Sequence, residues 1–140
     1  MTVMTFGGAP DRPIADAVVG MATQGVAGAS FTELEPRPDV VLHRLGGLEA
    51  VITVRLHGLI LAAAAGTPAA AIAYDPKVSA WASRLGAADA VVGLEDADAD
   101  QILLALDRCR SGIAASTVRD RIEAMRAEAP DIRRTLTAAL

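Results

Sequence analysis

"AVITVRLHGLILAAAAGTPAAAIAYDPK", residues 50–77, decides the fold of this chain. Its opening, Ala50 to Val54, is a β-branched apolar run without alternation, which reads as a strand covered on both faces. A small-residue segment from roughly Gly58 to Ala65 reads as a helix that ends at Gly66 and cannot continue through Pro68. Ala69 to Tyr74 then returns to a buried strand, despite its alanine content. Strand, short helix and strand in such close succession specify a crossover between parallel neighbours.

The same alternation extends in both directions. Upstream, Thr2 to Phe6 reads as a buried strand closed by Gly7-Gly8, and Asp11 to Gln24 as a helix. That helix has Pro13 in its first turn and Ile14, Val18 and Met21 at helical spacing. Gly28 to Leu34 is a weaker strand, and Pro36 and Pro38 open a helix with Val41, Leu45 and Leu48 on one face. Downstream come a helix from Lys77 to Leu85, a short strand from Asp89 to Gly93, and a helix from Asp100 to Arg110. The last of these places Ile102, Leu103 and Leu106 inward. Residues 113–140 form an amphipathic, charged helical tail, interrupted near Pro130. Five buried strands separated by helices imply one α/β domain over residues 1–140, with a Rossmann-like parallel sheet and helices on both faces.

Composition narrows the function. At 140 residues the chain suffices for one core. It carries 13 basic and 17 acidic side chains, a net charge of −4, so a general nucleic-acid surface, which needs a basic excess, is not expected. The single cysteine, Cys109, rules out an internal disulfide and suits a reducing compartment. No signal-peptide pattern opens the chain. The best membrane candidate, Leu59 to Ala73, is too short and is broken by Gly66-Thr67-Pro68, whereas a spanning helix needs about 20 apolar residues. A cytoplasmic protein without a transmembrane segment is expected.

In parallel α/β sheets ligands lie outside the carboxyl ends of the strands. Arg55 and His57 follow the strand 50–54, and Tyr74, Asp75 and Lys77 follow the strand 69–74, so one rim collects them all. Arg55 offers a planar fork for a carboxylate or phosphate. The helix beginning near His57 aims its free N–H groups and positive dipole end at the same space, and Gly58 allows a ligand close to the backbone. The sharp reading is an anion site with His57 as donor or proton-transfer group. The plain reading makes Arg55 a surface ion-pair residue and Asp75-Pro76 a turn that starts the next helix.

Other residues point less clearly to chemistry. His43, between Leu42 and Arg44 on a helix, reads as solvent-facing. Gly7-Gly8 lacks the G-x-G-x-x-G pattern of a dinucleotide loop, although Asp11 belongs to the same rim. "LEDADAD" (94–100) holds four carboxylates but not the glycine and distal glutamate of a calcium loop, and reads as a solvated helix cap. No residue set has metal-ligand spacing. Cys109 reads as inert.

The central stretch, "RLHGLILAAAAGTPAAAIAYDPKV" (55–78), resembles the signature of the polysaccharide pyruvyl transferases, especially the bacterial cell-wall type. That signature joins R-L-H, an apolar small-residue helix, G-x-P, a strand and Y-D-P-K; Val54 stands where a Met commonly precedes R-L-H. The resemblance implies a two-domain fold like the GT-B glycosyltransferases, of which this chain would be the carboxyl-terminal, donor-binding half. It implies transfer of a pyruvyl group from phosphoenolpyruvate to a cell-wall or exopolysaccharide sugar, forming a ketal, with no cofactor or metal. By that resemblance Arg55, Leu56 and His57 serve donor binding and acid catalysis, with His57 the acid. Lys77 is a further anion contact, and Gly58, Tyr74 and Asp75 line the same site. Complete members are more than twice this length, so the chain alone is expected to be inactive, needing an amino-terminal half or self-association to complete its cleft. The alternatives are a nucleotide-sugar domain of a GT-B glycosyltransferase or epimerase, and a non-catalytic Rossmann-like module whose tail binds a partner.

Overall fold

The computed structural model describes residues 2–5, 12–22, 24, 30–33 and 37–138. Two compact units divide the chain, Met1–Val41 and Leu42–Leu140.

In the first unit, strands β1 (Thr2–Thr5) and β2 (Ser30–Glu33) pair in parallel, Thr2 opposite Ser30 and Thr5 opposite Glu33. Helix α1 (Arg12–Ala22) connects them. Its first turn carries Pro13 and an Arg12–Asp16 ion pair of 3.1 Å at helical spacing. The apolar residues at helical spacing are exposed, Ile14 at 68%, Val18 at 37% and Met21 at 66%, while Ala15 is buried and Val19 half-buried. The packed face of α1 is the one bearing the smaller residues, about 100° round from Ile14. Gly7-Gly8 and Asp11 lie outside the described residues.

Helix α2 (Pro38–Gly46) leads into the second unit and buries Val41 and Leu45; Leu48 follows its end and His43 is exposed. There, β3 (Val51–Thr53), α3 (Leu56–Ala65), β4 (Ala69–Ala73), α4 (Pro76–Leu85), β5 (Val91–Gly93) and α5 (Ala99–Arg110) alternate, and α6 (Gly112–Ala138) follows. The strands form one parallel sheet in the order β3-β4-β5, with Thr53 opposite Ala71 and Ala73 opposite Gly93. Alternate residues of β4 define its two faces. Ala69 and Ala71 pack with Leu59, Ala62 and Ala63 of α3 and Val78, Ala82 and Leu85 of α4. Ala70, with Val92 of β5, packs with Ala105 and Cys109 of α5. Alanine at the sheet surface allows helices to approach closely, so an alanine run serves as a strand. The second unit is therefore a Rossmann-like α/β layer with helices on both faces.

Three expectations need correction. The run 50–54 yields a strand of only three residues, and Ile52 is 49% exposed. β3 is an outer strand of the three, and α5 lies chiefly over β4, so the α5 side of β3 stays open. Leu103 is 57% exposed rather than inward, because the face of α5 that meets the sheet is carried by Ile102, Ala105, Leu106 and Cys109. Helix α6 runs on through Pro130, whose ring removes a single backbone donor, without the expected interruption.

Two glycines end their helices in the left-handed conformation, Gly66 at φ 76° and Gly86 at φ 74°. After Gly66, the Thr67 amide donates to Ala62 O at 2.9 Å, and the buried Thr67 hydroxyl donates to Leu45 O at 2.8 Å, tying the α3–β4 turn to α2. Gly86 differs in its neighbour: a Cβ there would meet Thr117 Cγ2 of α6 at 2.5 Å, whereas one at Gly66 would meet nothing within 4 Å. Val118, Ile122 and Met125 of α6 pack against the α3–α4 core beside this seat. Gly66→Ala should therefore cost only the left-handed penalty, about 1–2 kcal/mol. Gly86→Ala should cost that plus an overpacking term of about 1–3 kcal/mol. Thr117→Ser, which deletes Cγ2, should bring the Gly86→Ala loss down to the Gly66→Ala level. Urea denaturation followed through the single tryptophan, Trp81, measures all three.

Candidate functional site

Because β3, β4 and β5 are parallel and in register, the residues after each strand emerge at one edge of the sheet. Arg55, Leu56, His57 and Gly58 follow β3; Tyr74, Asp75 and Lys77 follow β4; the acidic segment 94–98 follows β5. The residues singled out in the sequence thus occupy the carboxyl edge of the second unit, on adjacent strands.

The β3–α3 junction is held by a residue that sequence reading passed over. The Thr53 hydroxyl donates to Arg55 O at 3.0 Å and accepts from the Arg55 amide at 3.2 Å. Thr53 is itself buried at the end of β3. Directly against it lies Gly58, where a Cβ would overlap Thr53 Oγ1 and stand 3.0 Å from Thr53 Cβ. Gly58 thus has a packing duty: its bare Cα admits the first turn of α3 against the strand end. The Gly58 and Leu59 amides both donate to Arg55 O, at 3.0 and 3.3 Å. The backbone of Arg55 is therefore the N-cap, and its side chain makes no cap hydrogen bond.

Three helices begin at this edge, and they begin differently. Asp75 caps α4, its carboxylate accepting from the Lys77 amide at 2.9 Å. Asp98 caps α5, accepting from the Gln101 amide at 2.8 Å. At α3 the cap position holds a cation, and among the described residues the Leu56 and His57 amides have no acceptor. An N-terminus carries roughly half a positive charge. Where the other two helices satisfy theirs with a carboxylate, α3 adds an arginine beside its own. His57 is exposed on that first turn.

Asp75 and Lys77 form a small unit of their own. Lys77 Nζ stands 3.0 Å from Asp75 Oδ2. The hydrogen bond from the Lys77 amide, then that from its ammonium, holds Asp75 below the usual carboxylate range, and Asp75 in turn raises Lys77. Asp75-Pro76 is thus the helix-starting turn of the plain reading, with Pro76 in the first turn. Tyr74 is 50% exposed at this edge. The segment 94–100 is a short 3₁₀ turn followed by the Asp98 cap, as the solvated-cap reading expects. Cys109 is buried, its thiol donating to Leu106 O at 3.1 Å, and burial pushes its pKa up, away from reactive thiolate.

Residues 15–76 match the family model of the polysaccharide pyruvyl transferases. The match takes in Arg55, Leu56, His57, Gly58, Tyr74 and Asp75 and stops one residue before Lys77. No curated protein and no solved structure matches the chain.

Two outcomes follow for this edge. Gly58→Ala should destabilise the fold by about 1–3 kcal/mol through overpacking, and the loss should shrink in a Thr53→Ala background, as read by thermal denaturation. Asp75 has a lowered folded pKa, so its charge adds stability that is full above the ordinary 3.8 and is lost as pH falls through the lower folded value. Asp75→Asn keeps a capping oxygen and should flatten the acid limb of the stability profile. Asp75→Ala should lower stability at neutral pH as well.

Proposed function

We propose, for a chain whose residues 15–76 match the family model of the polysaccharide pyruvyl transferases, that the carboxyl edge around Arg55 and His57 binds the pyruvyl donor. The donor proposed is phosphoenolpyruvate, a small molecule with a phosphate and a carboxylate. The observation that supports this is the contrast among the three helix starts: α4 and α5 carry an aspartate carboxylate at the cap, whereas α3 has an arginine there and two amides without an acceptor among the described residues.

In this reading the Leu56 and His57 amides and the Arg55 guanidinium receive one anionic group of the donor. Lys77 is a second cation on the adjacent strand, drawn toward its own Asp75. His57 supplies the proton. Protonation of the methylene carbon leaves an oxocarbenium-like centre at C2, which one sugar hydroxyl attacks. Cleavage of the C2–oxygen bond releases phosphate, and a second hydroxyl closes the ketal. One hydroxyl proton replaces that given by the acid; the other leaves with phosphate. The acceptor is a polysaccharide sugar, as the family implies, and the part of the cleft that orients it is proposed to lie in a second, GT-B-like half. Aligning donor and acceptor can supply roughly 7–11 kcal/mol of the barrier, so residues 1–140 alone should bind the donor without turning it over.

Titration calorimetry with phosphoenolpyruvate tests the reading. Losing one charged hydrogen-bond partner costs about 1.5–3 kcal/mol, so Arg55→Ala should weaken binding roughly 10- to 150-fold. Arg55→Lys should recover only part, because the fork is lost. Equal affinity in wild type and Arg55→Ala would remove the site; preference for uridine diphosphate would move it to the nucleotide-sugar class.

A further inference from the structure

A cavity of about 880 Å³ opens at the other end of the sheet. Its walls include Gly66 to Ala69, which lead into β4, and Gly86, Ala87, Asp89 and Ala90, which lead into β5, so it belongs to the amino edge, away from Arg55 and His57. Helix α6 forms one side of it. The volume is in the range of small-molecule pockets, about 300–1,000 Å³.

The lining has two chemistries. Ala63, Leu85, Ala87, Val118 and Ile122 are among the side chains that make an apolar floor and wall. Arg108, Arg119 and Arg126 supply three guanidiniums against the two carboxylates of Asp89 and Glu123, in a chain whose net charge is −4. Two of the arginines have structural work. Arg126 donates to Ala64 O at 2.9 Å, satisfying a carbonyl in the last turn of α3, and Arg108 donates to Asp89 O at 3.4 Å. Arg119 has no hydrogen bond or ion pair among the described residues, although Glu123 is one turn along the same helix. A cation without a partner among the described residues, lining a cavity whose walls are more apolar than polar, is a recognition pattern for a molecule that is anionic at one end and apolar at the other.

We propose that this cavity binds a single-tailed amphipathic anion, the alkyl chain on the apolar floor beside α6 and a phosphate or carboxylate head at Arg119. The proposal uses no part of the donor site. Decyl phosphate and decanoate, both below their micellar concentrations, are the probes, with decanol and inorganic phosphate as tail-only and head-only controls. Calorimetry should give saturable binding of at least one amphiphile, and whichever binds more tightly identifies the head as phosphate or carboxylate. Neither control should bind comparably. Arg119→Ala should weaken binding roughly tenfold, the low end for a charged hydrogen bond at a solvent-facing rim. Arg119→Glu should abolish it, and Arg110→Ala, which removes an arginine outside the cavity, should leave it unchanged. Circular dichroism monitors the fold of each variant. Absence of saturable binding by both amphiphiles would overturn the proposal, as would full affinity in folded Arg119→Glu.

Discussion

Thr53 and Gly58 meet where a strand becomes a helix, and the carboxyl edge takes its form from that contact. The threonine hydroxyl engages the Arg55 backbone as donor and acceptor, which bends the chain off β3 without a longer loop. With no Cβ at Gly58, the first turn of α3 sits directly on the strand end. Arg55 is thereby fixed as the N-cap by its backbone alone, and its side chain takes no part in capping the helix. A serine or aspartate there would satisfy the helix internally. The sequence places a guanidinium instead, and two amide donors are left without an acceptor among the described residues.

That arrangement is informative because its neighbours place a carboxylate at the same position, although α5 also leaves the Ala99 and Asp100 amides without an acceptor among the described residues. Asp75 and Asp98 show that this chain uses aspartate caps where a helix needs only to start. The difference at α3 is therefore local, and it falls within the segment that matches the pyruvyl transferase family. The proposed donor, with two anionic groups, would complete the helix start in the way a carboxylate completes the other two. The cavity at the amino edge obeys a different logic, since its cation stands over apolar surface rather than at a helix terminus.

Much of this was legible in the residues. Gly66 and Pro68 announced the end of α3, and Pro76 the start of α4. The placement of Arg55 and Lys77 on one edge followed from parallel strands. What could not be read were contacts across several residues. The Thr53–Gly58 fit joins positions five apart through a bend, and no periodicity signals it. The roles of Ile52 and Leu103 were misjudged for a related reason: hydrophobicity marks a residue as able to be buried, but coverage depends on which strand a helix lies over. The same holds for α1, where small residues took the packed face and left Ile14 and Met21 exposed. No helix among the described residues is long and apolar enough to cross a membrane, consistent with the break read at Gly66-Thr67-Pro68.

The central claim is that the start of α3, which has no cap carboxylate, receives an anion, while the starts of α4 and α5 already carry the carboxylates of Asp75 and Asp98. Backbone amide chemical shifts recorded during a phosphoenolpyruvate titration test it residue by residue. The Leu56 and His57 amides should move most and saturate together, while the capped amides of Lys77 and Gln101 move far less. Saturating shifts centred on Lys77 or Gln101, with Leu56 and His57 unmoved, would contradict the account.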